Sequence, residues 1–271
     1  MIVIENIKDA PVGLFWETSL RDIGCLTVYF DGKARLNIKK GDALSVTFGP
    51  AGNMQRLRKY TVWRVRQGER IEIIALEFGP EWQAKARAIY PGPRQAAISN
   101  LLSKKGESPG QMAVDGGNKT YAQNESDIAF LYRLAGNTPV WRDGQGAINV
   151  AYPPDVKVQQ VIDYKPSAMA GRKYIATGLT PDGMAFEISA GEGVETRIAE
   201  VFHSPAEASE YLQRLAIADP KGKLQCVGQA GLRAGCNVIL PEGSKHRVTK
   251  CKHEVKHESW TITAYLTAYL N

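Results

Sequence analysis

The residues with the clearest potential for chemistry lie near the C-terminus, where His253, Glu254 and His257 form a His-Glu-x-x-His string. On an α-helix the two histidines would share one face and bind zinc, and the glutamate would act as the general base of a hydrolase. The surrounding pattern argues against a helix, because less polar residues alternate with lysine or glutamate from residue 249 to residue 257. This period of two predicts a half-buried strand, on which Glu254 points away from both histidines. A zinc-dependent hydrolase is therefore only an alternative interpretation.

The other reactive side chains do not form a recognisable catalytic set. The cysteines lack a Cys-x-x-Cys spacing, which predicts free thiols packed in strands, at Cys25, Cys226, Cys236 and Cys251. A cysteine would have to complete a zinc site with the two histidines. Cys226 and Cys236 each share a predicted strand face with leucine or valine, so core packing explains them. We expect no catalytic residue, no cofactor and no metal, and hence a protein that is not an enzyme.

The elements that must position any site are strands over the first 92 residues. Apolar residues recur at every second position in five segments, at residues 25–30, 34–38, 44–48, 60–65 and 71–78. Several short strands at this spacing are typical of a barrel or a sandwich. We predict a first β-barrel over residues 1–92.

Residues 93–150 combine helical and strand patterns. A helix is predicted over residues 94–103, where apolar residues recur at helical spacing. A strand pair is predicted at residues 139–141 and 147–150, closed through an Asp-Gly turn. Together with a second helix, these elements predict a small α/β insert domain over residues 93–150.

The second helix of this insert has distinct start and stop signals. Asn124 is expected to be its N-cap, with Asp127 answering three residues later in a capping box. Glu125 and Asp127 place negative charge at the positive end of the helix dipole. Gly136 is expected to end the helix. The carboxylates are thus explained by helix capping and need no substrate.

Residues 151–271 return to a strand pattern, and they predict a second β-barrel. A strand within residues 151–165 is expected to return to the first barrel and complete it. An inserted helix is predicted near residues 204–217, because its first residues read Ser-Pro-Ala-Glu. Four strands are predicted after it, at residues 224–227, 236–240, 247–255 and 260–266. The predicted class is mainly β (α+β), with two small β-barrels and an α/β insert between them.

Composition sets bounds that agree with this prediction. A chain of 271 residues holds about two domains. Its 44% hydrophobic and 23% charged residues are ordinary for a globular protein. The net charge of +6 and the pI near 9.0 come without a run of like charges, so a dedicated nucleic-acid arm is not indicated. The N-terminus lacks an export signal and no apolar run spans a membrane, so we expect synthesis and folding in a cytoplasm.

Two groups of residues carry a resemblance to a known family. The first runs from the helix start into a Phe-Leu-x-Arg-Leu string, at Asn124, Glu125, Ser126, Asp127, Phe130, Leu131 and Arg133. The second lies in a Gly-Leu-Arg-Ala-Gly string, a His-x-Val strand and an aromatic-Thr-x-Thr strand, at Gly231, Gly235, His253, Trp260, Thr261 and Thr263. In this order they resemble the phage tail baseplate hub proteins of the late control protein D family and the hub part of the type VI secretion spike protein. The resemblance extends from about residue 90 to residue 271, whereas the earlier part matches in strand pattern only.

The resemblance implies barrels of the tail-tube or hub type and a structural role in the virion, at the tail baseplate of a phage or tailocin. It implies a homotrimer in which the two barrels of each chain alternate around a pseudo-sixfold ring. Such a ring joins the hexameric tail tube protein above to the trimeric spike protein below, with tape-measure and baseplate wedge proteins as further partners and no membrane anchoring. The chain ends at Asn271, soon after its last predicted strand, which favours the form in which the spike is a separate polypeptide.

Two further expectations concern surfaces. The last strand, at residues 260–266, alternates and carries little protection, so it is expected to be an edge strand that pairs across subunits. The positive charge either lines the ring lumen, through which a linear genome passes, or forms a solvated outer face. A nucleic-acid-binding β-barrel protein is the alternative that the fold class and pI favour.

Overall fold

The computed structural model describes residues 1–20, 22–114, 119–166, 172–191, 193–218, 222–256 and 259–268. It confirms the predicted mainly β class, with three α-helices among the described residues. Within that part of the chain, none of the helices is long and apolar enough to cross a membrane.

Six N-terminal strands build one half of a large sheet, because each buries its apolar alternate positions on one face. The strands are β1 (Ile2–Ile4), β2 (Gly13–Ser19), β3 (Cys25–Asp31), β4 (Ala43–Phe48), β5 (Gln55–Arg66) and β6 (Arg70–Leu76). They pair in the order β1–β4–β5–β6–β3–β2, all antiparallel. A 3-10 turn at Pro80–Trp82 follows.

The predicted strand at residues 34–38 is wrong, because this segment pairs with no strand among the described residues, although its apolar side chains are half-buried. Three of its side chains pack against the core of the large sheet, namely Ala34, Leu36 and Ile38. The backbone N–H groups of Arg35 and Lys39 instead donate to the carboxylates of Asp9 and Asp42, at 2.9 Å each. A period of two therefore predicts which side chains of a segment face the core, but it does not predict which groups its backbone pairs with.

The middle of the chain forms an α/β unit with its own core. Its elements are β7 (Lys85–Gly92), α1 (Arg94–Lys104), β8 (Pro109–Met112), β9 (Lys119–Ser126), α2 (Asp127–Ala135), β10 (Val140–Arg142) and β11 (Ile148–Val150). Strands β7 and β9 form a two-stranded ribbon, and β10, β11 and β8 form a second small sheet. The core of this unit includes three aromatic residues that precede residue 92, namely Phe78, Trp82 and Tyr90. The domain boundaries at residues 92 and 150 stay a prediction.

The C-terminal part supplies a further small sheet and the second half of the large one. Its elements are β12 (Val156–Lys157), β13 (Val161–Pro166), β14 (Arg172–Leu179), β15 (Ala185–Ala190), β16 (Val194–Arg197), α3 (Pro205–Ala218), β17 (Gly222–Val227), β18 (Asn237–Ile239), β19 (Lys245–Lys256) and β20 (Ser259–Ala268). Strands β15, β14 and β16 pair and pack against α3. Ser204 caps α3 as predicted, since its hydroxyl accepts the N–H of Glu207 at 3.2 Å.

The two halves of the large sheet meet where β2 pairs with β19. The order continues β19–β20–β17–β13, and one hydrophobic core spans both halves. The predicted return strand is therefore corrected, because β12 pairs with β18 and β13 pairs with β17 in the C-terminal half. Among the described residues the pairing order ends at β1 and β13, so the predicted barrels are not closed rings of strands.

Candidate functional site

The predicted zinc string lies on strand β19, as the period of two indicated. His253 is fully buried, whereas Glu254 is exposed on the opposite face and forms an ion pair with Lys256. His257, the third member, lies outside the described residues. Because neighbours on a strand point to opposite faces, Glu254 is turned away from His253. No group of three metal-ligating side chains is present among the described residues.

His253 instead forms the polar centre of the large core. Its Nδ1 accepts a hydrogen bond from the indole N–H of Trp260 at 3.2 Å, and its Nε2 lies 2.7 Å from the carbonyl oxygen of Leu232. Since an indole nitrogen only donates, Nδ1 must be unprotonated, and the hydrogen on Nε2 is donated to the carbonyl. Burial, opposed by the hydrogen bond to Leu232 and helped by the nearby charge of Arg233, lowers the pKa of His253 to about 3. The ring is therefore a neutral structural group at neutral pH.

The aromatic side chains around this histidine come from both halves of the sheet. The rings of Trp16 and Phe48 lie 4.5 and 6.2 Å from the imidazole, and Trp260 lies at 5.8 Å. Trp16 in turn donates to the buried hydroxyl of Tyr60 at 2.9 Å. Hydrogen bonds and ring contacts thus connect β19, β20, β2, β4 and β5 through one cluster.

The helix-start string forms a corner between β9 and α2, and the predicted cap is wrong by two residues. Asn124 and Glu125 lie in strand β9, and the N-cap is Ser126, whose hydroxyl accepts the N–H of Ala129 at 3.3 Å. Asp127 is the first helical residue, so the predicted capping box with Asn124 does not form. The strand pairing with β7 prevails over the local capping signal. Gly136 ends the helix as predicted, with φ of 61°.

Ionic contacts fasten this corner. Arg133 pairs with Glu125 at 2.7 Å and donates to the carbonyl oxygen of Ala122 at 2.6 Å. The buried carboxylate of Asp127 accepts from Gln123 at 2.7 Å and forms an ion pair with Lys105, the C-cap of α1. The two apolar members of the string, Phe130 and Leu131, are fully buried in the core of the α/β unit. The string is a structural corner in which the predicted residues do meet.

The Gly-Leu-Arg-Ala-Gly string is a tight turn that joins three parts of the molecule. Gly231 and Gly235 have φ of 84° and 90°, and a Cβ on Gly235 would come within 2.7 Å of Pro139. Between them, Leu232 accepts from the buried histidine and the N–H of Ala234 donates to the hydroxyl of Thr18 at 2.9 Å.

Arg233, at the centre of this turn, belongs to a buried charge network that the sequence did not reveal. Its guanidinium donates to the carbonyl oxygen of Arg142 at 2.8 Å and to the carboxylate of Glu77 at 3.3 Å. Arg142 binds Glu107 through two hydrogen bonds of 2.8 Å. Burial acts to raise the pKa of Glu107, but the hydrogen bond and charge of Arg142, helped by Lys59, hold it below its ordinary value.

This charge network connects the large sheet to the α/β unit. Glu77 follows β6, Arg142 ends β10, and Arg233 lies in the C-terminal half, yet their side chains are each at least 93% buried. Four charges buried with mutual hydrogen bonds hold their elements in a defined arrangement only if each keeps its partners. The sequence offers one indication of this network, which is an arginine inside a turn bounded by two glycines. It does not indicate the partners, because they lie 91 and 156 positions away in the chain.

Strand β20 is an interior strand, so the predicted edge pairing at residues 260–266 is wrong. It pairs with β19 on one side and with β17 on the other. Trp260 points into the core, while Thr261 and Thr263 are half-buried on the outer face. The described cysteines are free thiols, and burial raises the pKa of Cys226, Cys236 and Cys251.

Comparison with solved structures gives the class of fold. The chain is similar to the 43 kDa tail protein of prophage MuSo2 from Shewanella oneidensis, with a TM-score of 0.72, 13% identity and 98% of both chains covered. It is also similar to a tail protein from Neisseria meningitidis MC58, with a TM-score of 0.67, 8% identity, and coverage of 98% of this chain and 95% of the other. No protein-family model and no curated protein matches the sequence.

A third similar structure comes from a secretion system. The E. coli c3393 protein is described as a component of the type VI secretion system with structural similarity to the T4 bacteriophage tail proteins gp27 and gp5. The TM-score is 0.64 at 10% identity, with 100% of this chain and 77% of the other covered. At these identities the likeness establishes the fold, which is that of phage tail proteins.

Proposed function

We propose that this chain is the structural hub of a phage or tailocin tail baseplate and belongs to the late control protein D family. The observation that carries the proposal is the fold, which matches a prophage tail protein over 98% of both chains. The likeness to a type VI secretion component that itself resembles tail proteins gp27 and gp5 supports a position at the base of the tail. The motif residues, which build a corner and a turn, are consistent with a scaffold.

In this proposal three copies form a pseudo-sixfold ring, because each chain contributes two β-rich halves joined at β2 and β19. The ring joins the hexameric tail tube to the trimeric spike, and tape-measure and wedge proteins are its other neighbours. The protein resides in the virion tail, is assembled in the host cytoplasm and has no membrane anchor. Its role is to fit one surface to the sixfold tube and another to the threefold spike, rather than to catalyse a reaction.

The test is the solution mass of the purified chain, measured by light scattering on a sizing column. Three chains of 29.8 kDa give 89.4 kDa, and this mass together with a ring in negative-stain images would support the proposal. If the chain is a monomer alone, the measurement is repeated with the spike protein. A mass that stays at 29.8 kDa in both cases contradicts the trimeric hub, and salt-dependent DNA binding by that monomer would favour the nucleic-acid-binding alternative.

A further inference from the structure

The outward face of four strands in the large sheet carries a row of lysines at one end. The register places Lys165 of β13 opposite Lys223 of β17, and Lys223 opposite Tyr265 of β20. Tyr265 in turn lies opposite Lys250 of β19. We call these four residues the lysine row. The alternate residue Leu224 is fully buried, whereas Lys165 and Lys223 are exposed, so the row lies on the outer face.

The lysine row places two positive charges directly opposite each other, an arrangement that is unfavourable between paired strands. Lys165 and Lys223 face each other directly on neighbouring strands, an arrangement that destabilises a sheet. Lys165 has one weak partner, Asp163, at 3.3 Å on its own exposed strand. Among the ion pairs of the described residues none includes Lys223. A negatively charged ligand would neutralise this pair and relieve the repulsion between the two lysines.

Carboxylates on this face do not balance its lysines. Glu17 of β2 lies 2.8 Å from Lys250 and 3.3 Å from Lys252, and it serves both cations. With Asp163 and with Asp22, whose charge acts on Lys250, three carboxylates face four lysines over the adjoining rows. The excess charge is positive and lies on the outer face of paired strands. Such a surface attracts a polyanion.

We propose that the lysine row binds the phosphate backbone of nucleic acid. Neighbouring strands lie about 4.8 Å apart, so the row spans roughly 14 Å, which is enough for several phosphates of one strand spaced at about 3.4 Å along the axis. The hydroxyl of Tyr265, between Lys223 and Lys250, is a further phosphate donor.

The residues around the lysine row favour nucleic acid over a protein partner. The adjoining row is polar, with Gln225 opposite Thr263 and Thr263 opposite Lys252. Protein interfaces centre on apolar and aromatic anchors, whereas nucleic-acid interfaces are polar and positively charged. The inference rests on the proposed function in one respect, because a linear genome that passes through a ring would supply the nucleic acid.

The experiment compares two double variants of the full chain by fluorescence anisotropy with a random-sequence DNA duplex. Lys165→Gln with Lys223→Gln removes two charges from the lysine row, and Lys33→Gln with Lys39→Gln removes two exposed charges elsewhere. The unaltered chain should bind with an affinity that falls steeply between about 50 and 200 mM salt. The first variant should lose about tenfold or more in affinity at the lower salt and about 1.8 in the slope of log K against log salt, since each phosphate contact contributes about 0.9.

Three results would overturn the inference, and the third concerns the masses of the samples. One is equal loss of affinity in both double variants, which would mean a diffuse charge effect. Another is the same dependence on these lysines with polyglutamate but no binding of DNA, which would assign the row to an acidic protein. The masses of the same samples keep the two proposals apart. A trimer that does not bind DNA contradicts the lysine row alone. A chain that stays monomeric even with the spike protein added, but whose DNA binding needs the lysine row, contradicts the ring alone.

Discussion

Two buried polar sites lie at the two junctions of this molecule, and they are built on different principles. At the junction between the halves of the large sheet, His253 is neutral and both of its ring nitrogens have buried hydrogen-bond partners. At the junction with the α/β unit, Glu77, Arg142, Arg233 and Glu107 are charged and bind one another. Neutral groups lose little when buried with partners, whereas charges lose several kcal/mol of hydration each.

The comparison indicates how each junction responds to disturbance. The neutral site is stable as long as His253 is unprotonated, so a fall in pH is the disturbance that destabilises it. At the ionic site each buried charge relies on a partner of opposite charge, so the loss of one partner is the disturbance that destabilises it most. The first site sits within one continuous core, while the second connects two separate cores. The same turn, through Leu232 and Arg233, contacts both.

The largest effect is expected from Glu77→Leu in the ionic site. The change removes the carboxylate that pairs with the guanidinium of Arg233 and accepts the backbone N–H of Arg142, so a buried positive charge loses its counter-charge. We expect a loss of about 3–5 kcal/mol in the free energy of unfolding. Urea unfolding at one fixed protein concentration measures it. The control is Glu72→Gln on β6, which breaks an exposed pair with Arg66 and should cost at most about 1 kcal/mol. Equal losses would show that the ionic site is no stronger than a surface pair.

An intermediate effect is expected from acid at the neutral site. The folded pKa of about 3 lies below the ordinary value of 6.5, so His253 stabilises the fold fully above pH 6.5 and loses that contribution as the pH falls towards 3. Between pH 7 and pH 5 the loss is about 2 kcal/mol, from about 1.5 pH units at 1.36 kcal/mol each.

The acid effect is isolated by comparing the unaltered chain with His253→Gln, which does not titrate. Urea unfolding at both pH values should show a loss for the unaltered chain that exceeds the loss for the variant by about 2 kcal/mol. Parallel losses in the two proteins would mean that His253 is not protected from protons and that the neutral junction is open to water.

The smallest effect is expected at the corner of β9 and α2, where the N-cap is a single hydrogen bond between uncharged groups. Ser126→Ala removes the N-cap hydroxyl and should cost about 1 kcal/mol. Asn124→Ala, the position that local capping rules select, lies exposed in β9 and should change the unfolding free energy by less than about 0.5 kcal/mol. The reverse order of the two variants would restore Asn124 as the cap. Thermal or urea unfolding of both variants decides it.

Local patterns were sufficient for much of the fold. The period of two around His253 predicted a strand and placed Glu254 on the other face, as the structure has it. The Ser-Pro-Ala-Glu start and Gly136 correctly marked helix ends. The patterns do not reveal pairing, so they predict a strand at residues 34–38 and an edge strand at residues 260–266, and the structure has neither. Both errors concern the backbone partner, which side-chain alternation does not encode.

The sequence by itself determined which faces are buried, where the helices end and that the chain is mainly β, because these depend on side chains a few positions apart. Only the tertiary structure decided that β2 joins β19, that Ser126 rather than Asn124 caps α2, and that Arg233 meets Glu77. Each of these depends on groups brought together from distant parts of the chain. The free-energy penalty of a buried charge or an unpaired strand depends on such partners, and only the folded molecule shows which groups they are.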